Sequence, residues 1–326
     1  MYTHFIEKLE TNYDKVFNYT GGHPDLQIVT SLAAQYTYAG RTYSGLEHQA
    51  VIDQVACNES TLSIFSTKGS DSRLQYKIAT DLVLKGNVEE HLAQLNKNDS
   101  LLAECGFSRS LYRMVSAFFV KDVAHGMRAK KLYDEMNKYH PMLTRKSDFP
   151  FAILLTANNN ESASVHAQTM NHYFKSLRER GFKLSDALQS LTQILTFFDV
   201  HEHQELVDYV AQLKIEFEHR GVQVKKIHYP FIGLLALTAT DLQLVEAIVK
   251  LEQQLRVSRV TNGAKELALI IAIQKLVFDY AEVQQAIHTT QMTGWADLLH
   301  FSDGLLYFSF HFIDGLTDLL DINLNF

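Results

Sequence analysis

The sequence predicts an all-α fold in which antiparallel helix pairs stack as an α-solenoid. Three observations carry this. The 326 residues include only 4 Pro and 15 Gly, too few turn-formers for a many-stranded β fold. Apolar residues recur at three- and four-residue steps over long stretches, the spacing of one helix face. Similar apolar segments also return about every 38 to 40 residues, and a period in that range is the mark of a repeat architecture.

The repeat is clearest in two segments, DFPFAILLT (Asp148–Thr156) and HYPFIGLLAL (His228–Leu237). Each sets an aromatic residue and Pro ahead of Phe and closes on a Leu-Leu pair, with Pro150 and Pro230 lying 80 residues apart. Between them sits ALQSLTQIL (Ala187–Leu195), and related helices begin LQYKIATDLVL at Leu74, LYRMVSAFFV at Leu111 and LALIIAIQKLVF at Leu267. The first large apolar residues are Leu74, Leu111, Phe149, Leu188, Tyr229 and Leu267, with gaps of 37, 38, 39, 41 and 38. An earlier copy starts at Leu26 (LQIVTSLAAQY), followed by a longer insertion near Asn58–Asp71.

Each of these helices is followed by a second one with a more polar face, expected over Val88–Glu104, Val123–Lys138, Ser162–Arg180, Glu202–Arg220, Leu242–Leu255 and Glu282–Leu299. Val165, Met170, Tyr173, Phe174 and Leu177 form the apolar stripe of one; Leu206, Tyr209, Val210, Leu213 and Phe217 form that of the next. Gly106-Phe107, Gly181-Phe182 and Gly221-Val222 end second helices, since Gly tolerates the left-handed stop and the apolar residue after it packs back on the last turn. Asp148 and Ser185 or Asp186 suit an N-cap, and Pro150 and Pro230 fall in a first turn, where a missing N–H costs little. Pro24 and Pro141 also sit beside helix boundaries.

One such pair cannot bury its own apolar faces. Stacked pairs build a continuous core, in which each fully buried Leu or Phe contributes roughly 1.5–3 kcal/mol. The expected organisation is a single array over residues 1–294, with a weak subdivision near 138–146, and an acidic, aromatic C-terminal cap over 295–326. A compact two-domain helical protein split near Lys138–Lys146 is the alternative.

Composition narrows the function. The net charge of −7 argues against a dedicated nucleic-acid binder. Residues 1–100 carry a net −4, residues 101–230 a net +3 and residues 231–326 a net −6. The densest basic run is Lys121–Lys146, although Asp122, Asp134 and Glu135 interrupt it. No Lys or Arg follows Lys275, while seven acids do. The N-terminus MYTHFIEKLETNYDKVF lacks the basic start and apolar run of a signal peptide. The most apolar long stretch, Leu298–Leu320, is broken by Asp303, Asp314 and Asp318, so no spanning helix is expected. The reading is cytoplasmic, which makes the Asn-x-Ser/Thr triplets at Asn18, Asn58, Asn98 and Asn160 irrelevant.

SDFPFAILL (Ser147–Leu155), GFKLSDALQSLTQIL (Gly181–Leu195) and HYPFIGLLALT (His228–Thr238) resemble an uncharacterised family of Gram-positive bacterial proteins catalogued as domain of unknown function 4003. The likeness is strongest from about Leu101 to Leu276 and weaker after Trp295. It implies a cytosolic, all-helical protein and supplies no activity, cofactor or catalytic residue. The pattern is also similar to tetratricopeptide and pentatricopeptide arrays in architecture, but lacks the tetratricopeptide consensus and has a period longer than their roughly 34 residues.

A search for chemistry gives no constellation. In His201-Glu202-His203 the two imidazoles would point apart on a helix, and no H-E-x-x-H motif occurs. Gly40–Gly45 has the spacing of a phosphate loop, but Leu46 and Glu47 stand where Lys and Ser or Thr are needed, so a turn between helices is the better reading. Cys57 and Cys105 are isolated; two Cys make neither a disulfide scaffold nor a four-Cys zinc site, and both read as structural thiols. Phe301, Tyr307, Phe308, Phe310 and Phe312 form either the last core layer or a partner anchor.

The expected function is therefore a non-catalytic interaction protein that presents a surface to a protein or peptide, with no cofactor, metal, nucleic acid or membrane involved. The incomplete polar face of the C-terminal segment invites homo-oligomerisation. A peptide- or small-ligand-sensing regulator and an enzyme with scattered site residues are the alternatives.

Overall fold

The computed structural model describes residues 2–21, 26–57, 72–157, 161–238 and 243–287. The protein is all-helical, with no strand among the described residues. In chain order the helices are α1 (Thr3–Tyr19), α2 (Leu26–Tyr38), α3 (Gly45–Cys57), α4 (Ser72–Lys85), α5 (Val88–Glu104), α6 (Leu111–Ala117), α7 (Val123–Tyr139) and α8 (Phe149–Leu155). They continue with α9 (Ala163–Glu179), α10 (Asp186–Phe198), α11 (Gln204–His219), α12 (Tyr229–Thr238), α13 (Gln243–Val257) and α14 (Leu267–Ile287). Short 3-10 turns, Lys146–Asp148, Lys226–His228 and Arg259–Thr261, precede α8, α12 and α14.

Two differences from the sequence reading stand out. The N-terminal segment forms a full helix, α1, whose Leu9, Tyr13 and Val16 are buried together with Asn12. The expected break before Glu282 is absent: α14 runs unbroken to Ile287, because no Gly or Pro interrupts Leu267–Ile287. The 295–326 segment and its aromatic cluster lie outside the described residues, as do Pro24 and the 58–71 insertion.

The chain divides into two compact units. Among the described residues, one comprises 2–88, 219–222 and 238–287 and the other 89–218 and 223–237. Residues 138–146 fall inside the latter.

In the unit of residues 89–218 and 223–237, α7 packs on α8 and α9, and α9 on α10; α6 packs on α8, and α8 on α10. Second helices thus touch second helices, and first touch first. Leu132 and Met136 of α7, Phe149 and Phe151 of α8, Tyr173 and Leu177 of α9, and Leu188 and Leu191 of α10 fill the interior. Phe107 meets the edge of Phe149 (centroids 4.9 Å apart), and Phe182 packs on Tyr229 in the same way at 4.8 Å. Each of these pairs joins the residue after a helix-ending glycine to the aromatic that opens a later first helix. Gly106 and Gly181 have φ of 88° and 83°, and Phe107 N–H and Phe182 N–H return to Leu102 O and Leu177 O.

One device recurs. A polar side chain on a second helix donates to carbonyls at the end of the following first helix. Asn98 of α5 donates to Ala117 O (2.7 Å) and Val120 O (3.2 Å) after α6. His125 of α7 meets Ile153 O of α8 at 2.8 Å. Thr169 of α9 donates to Val200 O beyond α10. Each bond supplies a donor to a carbonyl at or just beyond a helix end, where intrahelical donors run out; Ile153 O is shared with the Thr156 N–H (3.2 Å).

The other unit repeats the device once, with Asn12 of α1 donating to Arg41 O (3.1 Å) after α2. It also joins helices from the two ends of the sequence. Thr30 Oγ1 donates to Val260 O (2.7 Å), Tyr38 OH to Ile271 O (3.1 Å), and Ser258 Oγ to Glu10 Oε1 (2.7 Å). Arg259 reaches Asp14 at 2.7 Å. A stack that joined only sequence neighbours would make none of these contacts.

Candidate functional site

The strongest concentration of buried polar chemistry in the unit of residues 89–218 and 223–237 surrounds Asp148. This residue closes the 3-10 turn ahead of α8, where Oδ2 accepts the Arg145 N–H at 2.8 Å. Oδ1 accepts two side-chain amides from α10, Gln189 Nε2 at 3.0 Å and Gln193 Nε2 at 2.6 Å. Four residues apart, both glutamines share one helix face. Asp148 is 2 % exposed. Burial pushes its pKa up to about 6, against the lowering effect of the Arg145, Gln193 and Gln189 hydrogen bonds and with added repulsion from Asp186. Gln189 Oε1 and Gln193 Oε1 are buried and find no hydrogen-bond partner among the described residues.

The same backbone position is used again 80 residues later. His228 closes the turn ahead of α12, and its Nδ1 accepts the Lys225 N–H at 3.0 Å, which leaves the ring proton on Nε2. An acid in one repeat and an imidazole in another thus do one structural task.

In the unit of residues 2–88, 219–222 and 238–287, His48 of α3 is fully buried against Tyr19, Tyr43 and Tyr76, and Tyr36 packs in turn on Tyr43. Its Nε2 lies 3.0 Å from Tyr76 O and 3.1 Å from Thr80 Oγ1. Burial lowers its pKa to about 4, only partly offset by the Tyr76 carbonyl. The His48 Nδ1 atom and the hydroxyls of Tyr36 and Tyr43 have no hydrogen-bond partner among the described residues. Burial raises both tyrosine pKa values.

The motifs weighed from the sequence fall as follows. His201 and His203 lie in the connection before α11, not on a helix, and both turn to Asp199: His201 Nδ1 to Oδ1 at 3.1 Å and His203 Nε2 to Oδ2 at 2.9 Å. The helical premise that sent them apart fails because α11 begins only at Gln204. The His201 N–H, the two imidazoles and the charge of His203 hold the Asp199 carboxyl down to about 2. Among the described residues no group of three or more His, Cys, Asp or Glu is placed to hold a metal ion.

Gly40 and Gly45 bracket a turn between α2 and α3. A Cβ on Gly45 would lie 2.4 Å from the Tyr19 ring, so close helix approach explains the glycine, and Glu47 pairs with Arg41 at 2.8 Å. Cys105 is buried, its thiol aimed at Val123 O (3.6 Å) and its pKa raised by burial and by Glu104. The Cys57 side chain lies outside the described residues. Ser185 caps α10 by accepting the Leu188 N–H. No helix among the described residues is long and apolar enough to cross a membrane.

Chemically, these centres suit holding protons and pinning helices. Asp148 binds three N–H donors and lies beneath the surface, and His48 is ringed by aromatic carbon. The partners that the sequence could not supply are Gln189 and Gln193, which stand 41 and 45 residues beyond Asp148.

The profile of a protein family of unknown function, DUF4003, matches residues 12–301. The chain belongs to this family. It is also similar to the uncharacterized protein YeaA of Bacillus subtilis (strain 168), with 22 % identity over 265 residues that cover 78 % of each chain. No solved structure matches it.

Proposed function

We propose that this family member is a non-catalytic helical-repeat protein, an α-solenoid whose stacked pairs present a surface to a protein or peptide. The carrying observation is the repeated cap: Asn98, His125 and Thr169 each lock a second helix onto the end of the next first helix. A device repeated at successive junctions fixes the offset between pairs, and a fixed offset spaces surface side chains regularly, which suits an extended binding face. We place the protein in the cytoplasm, with residues 1–294 as one array, residues 295–326 as its acidic cap and a site of self-association, and no role for nucleic acid or membrane.

Affinity purification from the native cell, followed by reconstitution with the purified partner, tests the reading. A stable, stoichiometric complex is the expected result. Failure of any protein or peptide to form one overturns it.

A second reading, a sensor of a peptide or small polar ligand, is favoured by the unfilled oxygens of Gln189 and Gln193 beside Asp148. A thermal-shift screen against peptides and metabolites tests it, and silence across both libraries removes it.

A further inference from the structure

The connections that enter the first helices of the unit of residues 89–218 and 223–237 share a chemical feature. Arg109 precedes α6, Arg145 and Lys146 precede α8, Lys183 precedes α10, and Lys225 and Lys226 precede α12; all six are exposed. With one or two on every such connection, they form a row. The Lys146 ammonium donates to Arg109 O (3.3 Å), Arg145 reaches Asp186 at 3.6 Å, and the Lys183 N–H donates to the Tyr229 hydroxyl (3.2 Å). Each connection therefore touches the next, and the cations lie along one continuous edge.

The opposite edge, where first helices lead into second ones, has the other sign. It carries Asp122, Glu161, Asp199 and Glu202 against Lys121. On the basic edge two apolar side chains stand out in solvent, Met142 at 85 % and Leu184 at 52 % exposure. The N-termini of the first helices, with the positive ends of their dipoles, open at the same edge.

We propose that this edge docks an acidic, extended segment of a partner protein, an inference that rests on the interaction reading above. Packed neighbouring helices stand about 8–10 Å apart. A partner segment in the extended polyproline II conformation advances about 3.1 Å per residue with every third side chain on one face, so an acid at every third residue meets successive connections, and about 12 residues span the row. Apolar residues between the acids meet Met142 and Leu184. A nucleic acid fits less well: its phosphates are much more closely spaced than these cations, it offers nothing to the two apolar side chains, and the whole chain carries a net −7.

The test is fluorescence anisotropy of the full chain with a labelled peptide of about 12 residues repeating Glu-Leu-Gly. Binding that weakens with added salt is expected. The triple reversal Lys146→Glu/Lys183→Glu/Lys226→Glu should weaken it about tenfold or more, while Lys97→Glu/Lys175→Glu, on exposed mid-helix positions of α5 and α9, should not. Circular-dichroism melts of both variants establish that they fold. No peptide binding by the wild-type chain, binding that survives the triple reversal, or reversal-sensitive binding of a single-stranded oligouridylate in place of the peptide overturns the inference. Should a purified cellular partner bind the triple reversal as tightly as wild type, the edge is wrong while the interaction reading stands; should no partner form a complex at all, that reading itself fails.

Discussion

Gln193 reaches Asp148 across 45 residues of chain, its amide nitrogen 2.6 Å from the carboxylate oxygen that also accepts Gln189. The pair ties α10 to the start of α8 through a buried acid whose pKa has risen from 3.8 to about 6. The folded chain thus holds this proton more tightly than the unfolded chain. Asp148 favours folding most below pH 3.8, and that contribution is lost as pH rises through about 6, a difference of about 2–3 kcal/mol. Asp148→Asn should flatten the pH dependence of stability between pH 4 and pH 6 relative to wild type. Chemical denaturation of both chains across that range is the measurement; parallel curves would contradict it.

His48 should act with the opposite sign. Its folded pKa, about 4, lies below the ordinary 6.5, so the unfolded chain binds the proton better. Stability from this residue is present above pH 6.5 and is lost as pH falls towards 4. At pH 5, hydrogen exchange in α3 and α4, corrected for intrinsic rate, should accelerate relative to pH 7, and His48→Gln should reduce that acceleration. Unchanged protection in α3 and α4 would refute it.

The Asn98 cap offers a third measurement. Asn98→Ala leaves the carbonyls of Ala117 and Val120 without these donors in a buried setting, which should cost about 1–3 kcal/mol. A lowered denaturation midpoint with an unchanged slope is expected. A wild-type midpoint would show that the bonds add nothing to stability.

Gly126 and Cys105 should couple. A Cβ on Gly126 of α7 would lie 2.7 Å from the Cys105 sulfur. Gly126→Ala should therefore destabilise by about 1–3 kcal/mol, and by less in a Cys105→Ala background, where the sulfur is gone. Equal costs in the two backgrounds would remove the proposed clash.

The helical fold was legible where local signals were strong. Leu111, Phe149, Tyr229 and Leu267 open helices where the repeat places them, and Gly106 and Gly181 stop second helices in the left-handed conformation. Helix α1 was present in the spacing of Leu9, Tyr13 and Val16, but Asn12 on the same buried face obscures the stripe. The polar members of the candidate sites were far less legible. Asn98, His125 and Thr169 interrupt apolar stripes, and their purpose emerges only once the neighbouring helix end is in place. Asp148 could be read as a helix-start residue, whereas Gln189 and Gln193 become its partners through packing alone. His201 and His203 converge on Asp199 because the helix starts after them, a boundary that no local breaker announces.

The bonds from Thr30 to Val260 and from Tyr38 to Ile271 set an order of events during synthesis. The ribosome makes α1 and α2 before these two partners, which emerge more than two hundred residues later. The helices from α5 to α10 can meet their neighbours as they appear, whereas α1 and α2 must wait with part of their apolar surface uncovered. That delay makes the amino-terminal helices the natural client for a chaperone, and truncation before residue 260 should leave them without their seat.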